Sequence, residues 1–202
     1  MSFNIVHSNF NTIDAMDFDR LLSLRYQVFK ERLGWEVPTK GQFESDQYDN
    51  ANAEYLFAKD ENQQVVGCWR LISTTQDYML KNTFPQLLGN EPAPSGKHIV
   101  ELSRFAVQKN TVGMSSSISD VTFKMLQAVY LHAVERGIEE YVTVTSTSIE
   151  RFLKRIGIPC KRIGDQKVHV LGDTKSIVLS VPVNQDFRKA VLNWFNQEKS
   201  VC

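Results

Sequence analysis

Charged residues stand where the hydrophobic pattern of this chain calls for apolar ones. Arg25 falls on the helical stripe of Phe18, Leu21, Leu22, Phe29 and Leu33, at the three- and four-residue spacing of a buried helix face. A guanidinium there either reaches water along its apolar stem or finds a carboxylate, because burying it unpaired is costly. The stretch that follows offers carboxylates: Asp46 and Asp49 lie three residues apart, shortly after Trp35. Further on, Arg70 interrupts the apolar run GCWRLIS, and Glu101 and Arg104 interrupt IVELSRFAV. Charges inside such runs mark an exposed sheet face or a site. Together these residues can build a small ionic cluster in which guanidinium forks grip carboxylates. Glu101 and Arg104 are three apart, so regular pleating sends them to opposite faces. A β-bulge or a strong local twist is needed if both serve one site.

The elements that must hold these residues can be read from periodicity. Residues 14–33 read as a helix, 34–52 as a long polar loop, and 54–59 and 64–73 as two strands joined at Asp60-Glu61-Asn62-Gln63. A short helical segment and a Pro- and Gly-containing loop fill 76–97, and 98–107 reads as a central strand. A helix over about 118–136 has Ser119 or Asp120 as its N-cap and Gly137 as its stop. The β-branched strand 140–146, a short helix over Ile149–Ile156, strands near 167–171 and 176–182 and a helix near 185–198 complete the chain. The order is mixed α/β with a largely antiparallel first half.

The bulk properties exclude more than they identify. At 202 residues with zero formal net charge, the chain fits a single domain over 1–202, and its overall field favours no particular partner. No basic-then-apolar leader opens it, and no run approaches the roughly 18 apolar residues of a membrane span. Cys68, Cys160 and Cys202 are odd in number and lack metal or redox spacing, which points to a reducing cytoplasm. The four histidines are scattered, so no metal site is expected.

The joint order of the unusual residues is far more specific than any one of them. Arg25, Phe29, Trp35, Asp46, Asp49, Arg70, Glu101 and Arg104 occur in the order and at the spacing of the acyl-homoserine-lactone synthase (autoinducer synthase) family, which this sequence resembles. The strings RYQVFKERLGW, GCWRLISTTQDYMLKNTFPQLL and VELSRFAV are similar too, over about 25–110, with a weaker likeness through VTVTSTSIERFLKRIG. The resemblance implies an α/β fold of the N-acetyltransferase (GNAT-like) kind, a three-layer sandwich with a twisted mixed sheet flanked by helices. It implies transfer of an acyl group from acyl carrier protein to the amine of S-adenosylmethionine, then lactone closure with loss of methylthioadenosine. S-adenosylmethionine would be a substrate, with no cofactor, and neither nucleic acid nor membrane would be a partner.

Under that resemblance each residue acquires an expected task. Phe29 and Trp35 would offer aromatic faces to the sulfonium and adenine. Arg104 would grip the methionine carboxylate, and Glu101 would accept the amine proton. Asp46 and Asp49 would hold the ammonium or order the loop through Arg25 and Arg70. Ser103, Thr143 and Thr145 would line the acyl pocket, a Thr at position 143 accompanying 3-oxo chains. The segment KNTVGMSSSISD, with Gly113, would cradle the phosphate of the pantetheine arm. Arg151, Lys154, Arg155, Lys161 and Arg162, with Lys167 beside them, would dock the acidic carrier. An acyl-CoA-dependent N-acetyltransferase shares the element order without requiring the Arg25–Trp35–Asp46–Asp49 set. A non-catalytic signal-binding regulator would need a DNA-reading module, which the sequence does not show.

Overall fold

Strand β1 (Asn4–Asn9) opens the element order in the computed structural model, which describes residues 3–109 and 120–192. The polar, interleaved sequence NIVHSN carries little strand signal by itself, and the sequence reading, which begins with a helix, misses it. Its pairing with β4 supplies what local propensity lacks. The chain packs as two compact units, Met1–Ile72 with Leu102–Ala128, and Ser73–Glu101 with Val129–Cys202.

In the first unit the strand order is β1, β4 (Ala53–Lys59), β5 (Val65–Ser73) and the later part of β6 (Ile99–Val107). β1 and β5 both run antiparallel to β4, placing Tyr55 directly opposite Arg70. Asp60 closes the β4–β5 turn by accepting from the backbone amides of Asn62 and Gln64 at 2.9 and 2.8 Å. Helix α1 (Ala15–Arg25) is capped by Asp14, whose carboxylate accepts from the amides of Met16 and Asp17. It lays Leu21, Leu22 and Leu24 against Tyr55, Phe57, Cys68 and Ala106 of the sheet.

The helix expected over 14–33 is continuous but not uniform. From Tyr26 to Arg32 it widens into a π-helical turn, shown by the Leu33 amide reaching back five residues to the Val28 carbonyl at 3.1 Å. The expected loop over 34–52 contains a short hairpin, β2 (Thr39–Lys40) and β3 (Phe43–Glu44), turned at Gly41 with φ +60°. On the opposite sheet face from Cys68, Gly67 lies under the first turns of α3 (Asp120–Arg136). The first unit is therefore itself layered, helix on sheet on helix.

In the second unit the start of β6 pairs in parallel with β7 (Glu140–Ser146), the α3 segment of the chain forming the crossover that a parallel pair requires. β10 (Thr174–Pro182) runs antiparallel to β7, and the short strands β8 (Lys161–Arg162) and β9 (His169–Leu171) both pair with β10. β8 was not foreseen. α2 (Met79–Asn82), a 3₁₀ turn (Pro85–Leu88), α4 (Thr147–Arg155) and α5 (Gln185–Leu192) complete the unit, α5 being described to 192 where the sequence suggested 198. The backbone approaches itself closely where the Asp165 amide donates to the Leu87 carbonyl. A Cβ on Gly164 would meet that same carbonyl oxygen, so the position, with φ +68°, accepts only glycine.

Gly67 tests the layering. A Cβ there would stand 2.8 Å from Val121 Cγ1 and 3.2 Å from Met125 Cγ. Gly67→Ala is expected to cost about 1–3 kcal/mol by overpacking, read as a lowered urea midpoint with an unchanged slope.

Candidate functional site

Six charged side chains of the first unit form a closed ring of alternating sign. Arg25 Nε donates to Glu44 Oε2 at 2.5 Å, and Glu44 Oε1 accepts from Arg104 Nε at 3.0 Å. Arg104 Nη2 donates to Asp46 Oδ2 at 2.7 Å. Arg70 forks onto Asp46 through Nη1 and Nη2 at 2.5 and 3.1 Å, and its Nη1 also lies 3.0 Å from Asp49 Oδ1. Asp49 returns the ring to Arg25 by accepting from Nη1 and Nη2 at 2.8 and 2.9 Å. Three guanidinium groups face three carboxylates, and five of the six residues are almost wholly buried, Arg104 retaining 12% side-chain exposure.

Local chain chemistry aims each group. The β2–β3 hairpin delivers Glu44. In the turn beyond it, Asp46 Oδ1 accepts from the Tyr48 amide and Asp49 Oδ2 from the Asp46 amide, at 2.9 and 3.0 Å. Each aspartate thus spends part of its acceptor capacity on its own turn and the rest on arginine. Tyr55 donates its hydroxyl to Asp49 Oδ1 at 3.1 Å from the position facing Arg70 on the neighbouring strand. Ser103 Oγ accepts from Arg70 Nε at 3.1 Å.

Ser103 and Arg104 are consecutive in β6, yet both address the ring, which a regular pleat forbids. Arg104 adopts φ +56°, a left-handed conformation costly for a residue with a side chain, and this irregularity turns its guanidinium to the same side. Above the ring the aromatic residues continue the stack. Arg104 Cζ lies 5.7 Å from the centre of the Phe29 ring, and Phe29 and Trp35 stack at 5.3 Å and 10°. The π turn makes this possible, since the Trp35 amide donates to the Phe29 carbonyl at 2.8 Å. Phe29 is buried in the core, whereas Trp35 is partly buried and packs against that core.

Ionisation follows the ring. Burial alone would raise both aspartates. Arg70 and Arg104 at Asp46, and Arg25 and Arg70 at Asp49, outweigh it and hold both carboxyls below the usual range. Burial opposes the charge on Arg25 as well, but Asp49 and Glu44 keep it firmly protonated. Arg104 differs: burial, together with Arg70 and Arg25 nearby, lowers its pKa despite Glu44 and Asp46. Burial pushes the Cys68 thiol up to about 12, which leaves no thiolate nucleophile there.

The sequence reading misses Glu44. It balances three arginines with Asp46, Asp49 and Glu101, and the third carboxylate of the ring is Glu44 instead. A usable signal is its place two residues before Asp46, in a stretch whose pattern reads as loop. Glu101 belongs to the second unit, where it is buried and its two oxygens accept from the amides of Met79 and Leu80 at 3.0 and 2.7 Å, capping α2. Thr143 and Thr145 lie half-buried on β7, opposite Leu179 and Ile177 of β10. Of the five basic residues, Arg151, Lys154, Arg155 and Lys161 are exposed, and Arg162 and Lys154 share the carboxylate of Glu150. Gly113 and the rest of 110–119 lie outside the described residues.

With the geometry in hand, the chain can be set beside known proteins. The autoinducer synthase family matches residues 9–191. An acyl-homoserine-lactone synthase of Aliivibrio fischeri is 58% identical over 193 residues, spanning 96% of this chain and 100% of the relative. The crystal structure of the AHL synthase LasI agrees with a TM-score of 0.86 at 34% identity, covering 95% of each chain. TofI, solved in a ternary complex with an inhibitor and MTA, agrees at 0.79 and 31% identity, over 95% of this chain and 96% of that one. An acyl-CoA N-acyltransferase from Pseudomonas aeruginosa shares the fold alone, with a TM-score of 0.61 and 12% identity over 88% of this chain and 99% of its own.

Two measurements test the ring. Glu44→Ala strips the partner from Arg25 Nε and Arg104 Nε and is expected to cost about 3–5 kcal/mol of unfolding free energy. Because Asp46 and Asp49 have depressed pKa values, the stability they confer is complete above the unfolded carboxylate value of about 4 and is lost as pH falls below it. Thermal midpoints should therefore hold from neutrality to about pH 5 and fall steeply below about pH 4, with Asp49→Asn flattening that fall.

Proposed function

The chain belongs to the autoinducer synthase family and is an acyl-homoserine-lactone synthase, an acyltransferase of GNAT-like α/β fold, and from that premise we propose that it joins an acyl chain, 3-oxo in kind, from acyl carrier protein to S-adenosylmethionine. The observation that carries the reading is the ring capped by Arg104, Phe29 and Trp35. It combines an incompletely buried guanidinium with an aromatic face, the two groups a zwitterionic amino acid with a sulfonium and an adenine calls for.

In the proposed sequence the substrate amine loses a proton to Glu101, directly or through one water, and attacks the thioester carbonyl. The carbonyl–sulfur bond breaks and the carrier thiol leaves with a proton. The methionine carboxylate then attacks its own γ-carbon. The carbon–sulfonium bond breaks, and methylthioadenosine departs neutral, carrying the electron pair. Arg104 holds that carboxylate, and orientation supplies much of the second step. Asp46, Asp49, Arg25 and Arg70 keep Arg104 and the loop in place. Thr143, with Thr145 and Ser103, serves the acyl chain, the Thr143 hydroxyl donating to a β-keto oxygen. The basic region that holds Arg151, Lys154, Arg155, Lys161 and Arg162 receives the acidic carrier. S-adenosylmethionine is consumed as a substrate, and no cofactor is invoked. One family match running from 9 to 191 supports a single synthase domain. Among the described residues no helix is long and apolar enough to cross a membrane. The proposed place of work is the cytoplasm, where acyl carrier protein and S-adenosylmethionine would meet it.

The test is turnover. The protein is incubated with S-adenosylmethionine and carrier thioesters, with the same acyl chains on coenzyme A in parallel, and lactone and methylthioadenosine are followed by mass spectrometry. Lactone from the 3-oxo carrier thioester supports the reading, and lactone from acyl-CoA alone reassigns the donor. Acylation without lactone, from acetyl-CoA, would make it an N-acetyltransferase. Glu101→Gln should lower kcat by about 10²–10⁴-fold. Thr143→Val should shift selectivity toward unsubstituted chains by about tenfold, the worth of one hydrogen bond.

A further inference from the structure

Within the basic stretch 150–167, one carboxylate is buried. Glu150 projects inward from the first turn of α4 and retains 6% side-chain exposure. Arg162 of β8 meets it as a fork, Nε to Oε1 at 3.0 Å and Nη2 to Oε2 at 2.6 Å. Lys154, one helical turn on, adds a third bond to Oε1 at 2.8 Å. Arg162 Nη1 also donates to the Gln166 carbonyl at 3.3 Å, closing the loop that follows β8. A single side chain thereby ties α4, β8 and that loop together. Arg162 keeps 32% side-chain exposure, yet both edges of its guanidinium are already bonded within the chain, which leaves it little to offer a visiting protein.

Arg151 and Arg155 are placed differently. They stand one turn apart on α4, both exposed, where they face solvent together. Arg151 donates to Ser148 Oγ at 3.1 Å, and the Arg155 guanidinium lies 5.9 Å from the Phe152 ring centre. Neither has a carboxylate partner among the described residues. Lys161 precedes Arg162 in β8, and strand alternation turns it to the other face.

We infer that Glu150 and Arg162 are positioning residues, an internal strut that sets the orientation of α4 so that Arg151 and Arg155 meet acidic groups on the carrier. The inference rests on the proposed carrier donor and deepens it. Of the five cations assigned to docking, Arg162 supports the surface without touching the partner.

Charge and geometry make opposite forecasts for the same variants, which is what makes the idea testable. In Glu150→Gln the docking region gains a net positive charge. If field strength governed docking, KM for the carrier thioester would fall and its salt dependence would steepen. The strut requires the reverse, a KM for the carrier raised by about three- to tenfold through lost positioning, with the salt slope unchanged. Arg162→Lys keeps the charge but cannot make the fork, so it should behave like Arg162→Gln and not like wild type. Arg151→Gln, which removes a direct contact, should flatten the salt slope.

In the strut variants KM for S-adenosylmethionine, and kcat/KM for the same acyl chain on coenzyme A, should stay within about twofold of wild type, because α4 docking serves the carrier protein. A lowered carrier KM in Glu150→Gln, or wild-type behaviour in Arg162→Lys, would overturn the inference. So would equal rises in both substrate KM values that track a lower melting temperature, which marks general loosening. Wild type that uses acyl-CoA and ignores the carrier thioester would instead overturn the donor reading, and the docking role of the strut with it.

Discussion

A guanidinium buried without a carboxylate is too costly to keep, and that single constraint organises the first unit of this protein. Arg25, Arg70 and Arg104 enter the core from a helix and two strands, and each must find an acceptor there. The solution is cyclic: three carboxylates bridge three guanidinium groups so that every charge has opposite neighbours on both sides. An open chain would leave two end groups half-satisfied in a low-dielectric interior, where a missing partner costs most. Such a ring is poor evidence of stability, since well-packed apolar side chains of equal volume often serve as well. What it provides is position, because six side chains from separate elements cannot move independently.

The backbone bends its own rules to complete that arrangement. Arg104 takes a left-handed conformation inside a strand, and the helix carrying Arg25 widens into a π turn as soon as it has passed that residue. Departures of both kinds cost energy and recur at functional positions. Here their consequences are concrete: one brings Arg104 beside Ser103, and the other sets Phe29 under Trp35. Polar side chains fill what remains. Tyr55 and the turn amides saturate the aspartates, and burial together with the Asp49 charge keeps the Tyr55 hydroxyl protonated and donating.

The second unit repeats the device on a smaller scale. A forked arginine and an inward carboxylate lock a basic helix to a two-residue strand that has little pairing strength of its own. The fork holds Glu150 at about 2, well below the ordinary glutamate range, with Lys154 assisting. Glu101 is treated comparably, two backbone amides holding its carboxylate at the start of α2. Where this chain buries an acid, it gives both oxygens a donor.

Residue order alone determined the family, the mixed α/β class and most elements, because helical and strand periods are local properties and the eight unusual residues keep a recognisable spacing. It also showed that Arg25 needed a partner and that the β6 strand needed an irregularity if its charges were to converge. The tertiary structure decided which carboxylate closes the ring, that a strand precedes the first helix, and that Arg162 is bound to the fold. Each of these depends on a partner distant in sequence: Glu44 meets Arg104 sixty residues away, β1 is made by β4, and Arg162 is claimed by Glu150 from another element. Local pattern records what a segment prefers; the pairing of distant charges and sheet edges exists only once the chain has folded.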